Sequence, residues 1–213
     1  MFTRIVVFVA LVIPGLAIAT DTPAGDAEAG KALYATCIAC HGANGEGNPA
    51  LNSPGIAGQS QSYLMRQLWD FKQGNRGAKD GDTYGAQMRP MAMTLADGVA
   101  IANVAAYIAS LPPTTPPATI EGDTANGEKQ YISKCGACHG GKGWGNEALF
   151  TPRLTGVGDA YLVRQVQNFR SGLRGAFENA KYGQQMAMMA KTVSDEELKD
   201  IVAFLNELAA QEE

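Results

Sequence analysis

The chain has 213 residues, with 17 basic and 21 acidic side chains and a formal net charge of −4. That balance argues against nucleic acid as a partner, which selects for a basic excess. All four cysteines and both histidines fall inside two pentapeptides, so whatever chemistry those residues support is concentrated there.

At the N-terminus, Arg4 precedes an apolar run from Ile5 to Leu16 that ends in Ala17-Ile18-Ala19. A positive flank, a short apolar stretch and an A-x-A site read as a cleaved export signal over 1–19, with the mature chain starting at Thr20. The run is short for a transmembrane helix and is interrupted by Pro14-Gly15, although an uncleaved anchor is the alternative. Export to the periplasm is therefore expected. Without Arg4 the charge is −5, and it is unevenly spread. Residues 123–194 hold nine basic and five acidic side chains, whereas 195–213 hold one and seven. The asymmetry predicts an acidic partner docking on the second half, and unequal redox behaviour of the two halves.

The first pentapeptide is Cys37-Ile38-Ala39-Cys40-His41 and the second Cys135-Gly136-Ala137-Cys138-His139. In C-x-x-C-H the two thiols can add across the vinyl groups of one haem while the histidine ligates the iron. Cys37, Cys40, Cys135 and Cys138 are thus the predicted haem attachments, and His41 and His139 the proximal ligands. A thioredoxin-like pair does not require the histidine, a single zinc site would leave both histidines and the duplication unexplained, and disulfides would waste the histidines.

The two motifs are 98 residues apart, and the same offset maps Pro54 to Pro152, Tyr63-Leu64 to Tyr161-Leu162, Arg66-Gln67 to Arg164-Gln165, Arg76-Gly77 to Arg174-Gly175 and Gln87-Met88 to Gln185-Met186. One small domain has been duplicated in tandem. We expect an N-terminal domain over 20–111, a stiff proline-rich linker over 112–122 and a C-terminal domain over 123–213. Each unit reads as three main helices: into the haem motif (27–37; 125–135), then 60–73 and 159–171 with Ser60 and Asp159 as N-caps, then 97–110 and a last helix opened by a capping box at Ser194. No stretch looks like a sheet-forming core, so the fold class is all-α.

With both histidines on the proximal side, a second strong-field ligand must be a methionine, a lysine or a terminal amine. Only Met88/Met186 and Met91/Met189 recur at the offset, and Met65, Met93 and Met188 read as core filler. Met88 and Met186 are preferred, on loops eight residues before the final helices at Ala96 and Ser194. His/Met ligation closes each iron and leaves outer-sphere electron transfer as its chemistry. The carbonyls of Pro54 and Pro152 are the candidate acceptors for the histidine ring N–H groups. Arg66/Arg164, Arg76/Arg174 and Tyr63/Tyr161 are candidates to bind haem propionates or to bridge the domains.

The motifs at Gly55-Ile56-Ala57-Gly58-Gln59, Tyr63-Leu64 with Gln67-Leu68, and Met88-Arg89-Pro90-Met91, with Tyr161-Leu162, Gln165, Phe169-Arg170 and Met186 in the second half, resemble those of the dihaem cytochrome c4 family. The resemblance covers nearly everything after the signal. It implies two tandem class I cytochrome c domains, each wrapped around a covalently bound haem, with Met88 and Met186 as distal ligands and propionates neighbouring across a pseudo-two-fold interface. It also implies a periplasmic electron carrier, often membrane-associated, working between redox proteins and a terminal oxidase. A dihaem subunit of a larger dehydrogenase, such as flavocytochrome c sulfide dehydrogenase, is the alternative, and a catalytic role is disfavoured. One departure is Val157 where the first half has Gln59, which questions any glutamine hydrogen bond in the second domain.

Overall fold

The computed structural model describes residues 24–212; the predicted signal over 1–19 and its cleavage site lie outside them. Ten α-helices and two single 3-10 turns make up the described chain. No strands occur among the described residues, only isolated bridges between Asn48 and Ser53 and between Asn146 and Thr151.

The first unit runs α1 (Ala27–Tyr34), α2 (Ile38–His41), α3 (Gln61–Lys72), α4 (Thr83–Met93) and α5 (Gly98–Ser110). The second repeats it as α6 (Thr124–Lys134), α7 (Gly136–His139), α8 (Asp159–Ser171), α9 (Lys181–Ala190) and α10 (Asp195–Ala210). Local chemistry fixes most of these boundaries. The Ser60 hydroxyl accepts from the Tyr63 N–H at 3.3 Å, Asp97 caps α5 through the Ala100 N–H at 2.8 Å, and Ser194 and Glu197 form a reciprocal capping box. Among the described residues, no single helix is long and apolar enough to cross a membrane.

In each unit the first helix crosses the last: α1 packs on α5 and α6 on α10. Tyr34, Ile101, Val104 and Ala105 are almost fully buried in the first core, and Tyr131, Ile201 and Leu205 in the second. These cores are small, as expected for units of this length, and they close one wall of the cavity described below.

Four sequence expectations need correction. The methionine segments are helices, α4 and α9, not loops, because the Asp82 carboxylate caps α4 at the Gly85 N–H and Pro90 lies late enough for the helix to continue past it to Met93. The offset of 98 does not hold throughout: it is 97 for Tyr34/Tyr131 and again for the caps Asp97/Ser194, because α4 is one residue longer than α9 while the connections to α5 and α10 are equal in length. Met93 and Met188 are exposed rather than core filler, whereas Met65 is buried in the first core.

Asp159 is also not an N-cap. Gly158 takes that position, and the buried Asp159 carboxylate instead accepts from the backbone N–H groups of Thr119 and Ile120 and from the Thr119 hydroxyl. It thereby pins the linker to the second unit. Burial alone would raise its pKa, but these hydrogen bonds and that from the Ala160 N–H outweigh it and hold the carboxyl below its ordinary 3.8. A group depressed on folding stabilises above its unfolded pKa and loses that contribution as pH falls through the folded value. We expect D159N to cost about 1–3 kcal/mol at neutral pH. It should also flatten the acid limb of stability below about pH 4. Thermal melts across pH, with proteolysis of the linker as a second probe, check both.

Candidate haem-binding site

Each C-x-x-C-H motif folds as a single helical turn. The His41 N–H bonds the Cys37 carbonyl at 2.9 Å and the His139 N–H the Cys135 carbonyl at 3.0 Å. This i,i+4 spacing sets the first cysteine and the histidine on one face, with the second cysteine three residues along. Gly42 and Gly140 end the turns at φ +80, a left-handed conformation that favours glycine. The Tyr34 hydroxyl donates to the Gly42 carbonyl at 2.7 Å, and Tyr131 to that of Gly140 at 2.6 Å. These tyrosines escaped the sequence reading because they recur at 97 rather than 98. Allowing one inserted residue before the second motif would have revealed them.

His41 and His139 are buried, and their Nδ1 atoms lie 2.9 Å from the carbonyls of Pro54 and Pro152. A carbonyl can only accept, so Nδ1 carries the proton and Nε2 presents its lone pair to the cavity. Burial pushes both imidazole pKa values down, against a smaller upward effect of those bonds, so the rings are neutral at neutral pH, the form a metal requires. No disulfide joins the four cysteines among the described residues, and burial pushes the Cys135 thiol up to about 11. Among the described residues no three metal-ligating His, Cys, Asp or Glu side chains converge on one point, so the two pentapeptides do not build a shared zinc centre.

Both motifs open onto one continuous cavity of about 420 Å³ that passes between the units. Leu64, Leu68, Phe71 and Ile108 line the first half, and Leu162, Val166, Phe169 and Leu205 the second. Met88, Met91, Met186 and Met189 all reach it, whereas Met65, Met93 and Met188 do not. Met88 and Met186 are half-buried; Met91 and Met189 are exposed.

At the centre the units meet in near two-fold register. Arg66 donates to the Phe150 carbonyl at 2.8 Å and lies over the Tyr182 ring; Arg164 donates to the Asn52 carbonyl at 2.7 Å and lies over the Tyr84 ring. Phe150 and Asn52 both sit at φ +56, which turns their carbonyls toward the arginines. Arg76 bonds Gln67 within its own unit and Gln165 and Tyr161 across the interface, and Arg174 does the reverse with Gln165, Gln67 and Tyr63. The duplicated arginines and tyrosines therefore bridge the domains.

None of these four guanidiniums forms an ion pair among the described residues. Burial depresses the pKa of Arg66 and Arg164, and Arg66 Nη1 and Arg164 Nε are buried donors without a hydrogen-bond partner. Orphaned cationic donors lining a cavity call for anionic oxygens. An apolar cavity lined in each unit by a neutral histidine, two methionines and a cysteine pair, with arginine donors that lack a partner, fits haem, whose ring is apolar and whose propionates are anionic.

Comparison with known proteins agrees with this chemistry. The cytochrome c family model matches residues 27–112 and 124–209, which defines the class as two c-type cytochrome domains in tandem. Cytochrome c4 of Azotobacter vinelandii is 33% identical over 87% of this chain and 90% of its own length. The crystal structure of reduced cytochrome c4 from Pseudomonas stutzeri superposes with a TM-score of 0.68 at 32% identity, covering 86% of this chain and 98% of that one. The thiosulfate dehydrogenase electron acceptor of Thiomonas intermedia is 34% identical over 66% of this chain and 65% of its own length. The chain belongs to the cytochrome c family and, within it, to the dihaem cytochromes c4. It is an electron-transfer protein carrying two c-type haems.

Proposed function

We propose that this protein is a periplasmic two-electron shuttle whose irons are closed by His41 with Met88 and by His139 with Met186. The observation that carries this reading is the pairing, in both units, of a buried neutral histidine with a half-buried methionine on the same cavity. The greater exposure of Met91 and Met189 favours Met88 and Met186 over them. Haem supplies reversible one-electron chemistry at its iron. The protein residues hold the ring, keep each histidine in one tautomer and exclude water from the metal face.

Cys37 and Cys40 anchor one haem and Cys135 and Cys138 the other, in domains spanning 20–111 and 123–213 joined by the linker 112–122. Export with cleavage after Ala19 delivers the chain to the periplasm. Its partners are redox proteins: an enzyme or carrier that donates electrons, as the name of the Thiomonas relative indicates for that protein, and a terminal oxidase or other acceptor. Peripheral membrane association and service as a bound dehydrogenase subunit are compatible with the same site. Nucleic acid is not a partner.

Purified protein is expected to hold two haems per chain by haemochrome assay, to take up two electrons reversibly and, when reduced, not to bind carbon monoxide. Carbon monoxide binding at one equivalent per chain would instead give one domain an open iron and a catalytic role.

A further inference from the structure

The carbonyl that receives each histidine N–H belongs to a peptide whose own N–H reaches into the opposite domain. For His139 the peptide is Pro152–Arg153: Pro152 O accepts from His139 Nδ1 at 2.9 Å, and the Arg153 N–H donates to Gln59 Oε1 at 3.1 Å. Gln59 Nε2 returns a bond to the Arg153 carbonyl at 2.8 Å, so one buried side-chain amide pairs with both backbone groups of Arg153. For His41 the peptide is Pro54–Gly55, and the Gly55 N–H donates to the Val157 carbonyl at 3.2 Å.

Gln59 and Val157 occupy the same position of the repeat, so the two domains perform one task with different groups. In the first domain the backbones touch directly, which Gly55 permits: a Cβ there would lie 2.2 Å from the Gly156 carbonyl oxygen. In the second domain Arg153 stands at the glycine position, and a side chain reaches across instead.

We infer that Gln59 of the first domain is a positioning residue for His139 of the second, setting the properties of the second iron from across the interface. This rests on His139 being an iron ligand. A peptide whose N–H donates has a more strongly accepting carbonyl, because hydrogen bonds in series polarise one another. A stronger acceptor at Nδ1 makes the imidazole more basic and fixes its ring plane. Greater ligand basicity favours the ferric state, so Gln59 lowers the potential of the second haem. In the first domain the corresponding peptide N–H donates to the Val157 backbone carbonyl, so that centre does not depend on a side chain at this position. Position 59/157 thereby becomes a source of inequality between two otherwise duplicated centres.

The test follows ring Nδ1–H exchange by NMR in the reduced holoprotein, together with a two-component redox titration. In Q59L the His139 Nδ1–H should exchange faster, by up to about tenfold, the worth of one lost hydrogen bond. The potential of the second haem should rise while His41 and the first haem stay put. Q59E keeps an oxygen for the Arg153 N–H and should restore slow exchange; if Q59L does not fold, a second-haem potential shifted downward in Q59E, more than the first, carries the same inference. Unchanged His139 exchange in Q59L, or equal movement of both haems, overturns it. If the unsubstituted protein shows His139 ring signals without haem ring-current shifts, the ligation reading itself fails, a result distinct from a ligated but unresponsive histidine.

Discussion

Replacing Met186 by alanine should remove half of the near-infrared methionine–iron charge-transfer absorption of the ferric protein, and replacing Met88 should remove the other half. The double variant should lose it entirely. Each single variant should also lower the potential of one haem and open one position to carbon monoxide, since the thioether both raises the potential and blocks the sixth site. The result is decisive because Met88/Met91 and Met186/Met189 are each three residues apart on α4 and α9, so both pairs reach the same cavity wall. Only the half-burial of Met88 and Met186 separates them. M91A and M189A should leave the band at full strength. If either halves it, the ligand is the other methionine of that helix.

That choice also shows what the sequence could and could not convey. The cysteine and histidine roles were legible because covalent haem attachment demands fixed spacing within one helical turn. Most helix ends were legible because caps such as Ser60, Asp97 and Ser194 act within three or four residues. The methionine helices were misread because Gly85, Pro90 and Gly183 signal breaks, while their C-terminal ends are secured by distant groups. The Lys72 ammonium bonds the Leu95 carbonyl just beyond α4, and Arg170 bonds the Ala190 and Val193 carbonyls at the end of α9. Lys72 and Arg170 are an offset-98 pair, so the duplication contained the signal, in residues that look like ordinary surface charges.

The domain interface was the least legible part. Arg66 and Phe150 are 84 residues apart and Arg164 and Asn52 are 112 apart. Neither separation follows from the repeat alone, because a two-fold pairing joins each residue to the other copy's partner rather than to its own counterpart. The departure at Val157 was visible, yet its meaning was not. A missing glutamine side chain is replaced there by a backbone carbonyl, which no side-chain pattern records.

A second large effect is expected at the helix crossings. Gly30 on α1 faces α5 so closely that a Cβ would lie 2.0 Å from the Asn103 carbonyl oxygen and 2.5 Å from its carbon. Gly127 on α6 meets the Asp200 carbonyl at the same distances. The obstacle in both cases is helical backbone, which cannot rotate away, so the helices must separate. Separation would part Tyr34 from Tyr107, whose ring centroids are 5.2 Å apart, and Tyr131 from Phe204 at 5.7 Å. It would also draw Tyr34 and Tyr131 off the carbonyls of Gly42 and Gly140 that follow each histidine, so the damage reaches the haem motif. Alanine gains about 1 kcal/mol of helix propensity over glycine. We expect the loss to exceed that gain, leaving G30A and G127A each destabilised by roughly 3 kcal/mol or more. Against a total of about 5–15 kcal/mol, the double variant should fail to fold around its haems. Gly141 supplies the control, since nothing lies within 4 Å of a Cβ there and its φ is not left-handed. G141A should stay within about 0.5 kcal/mol of the parent. Denaturant melts followed at each haem would show G30A loosening the first domain and G127A the second, and a G30A melt matching that of G141A would mean that the close crossing of α1 and α5 does not hold the domain together.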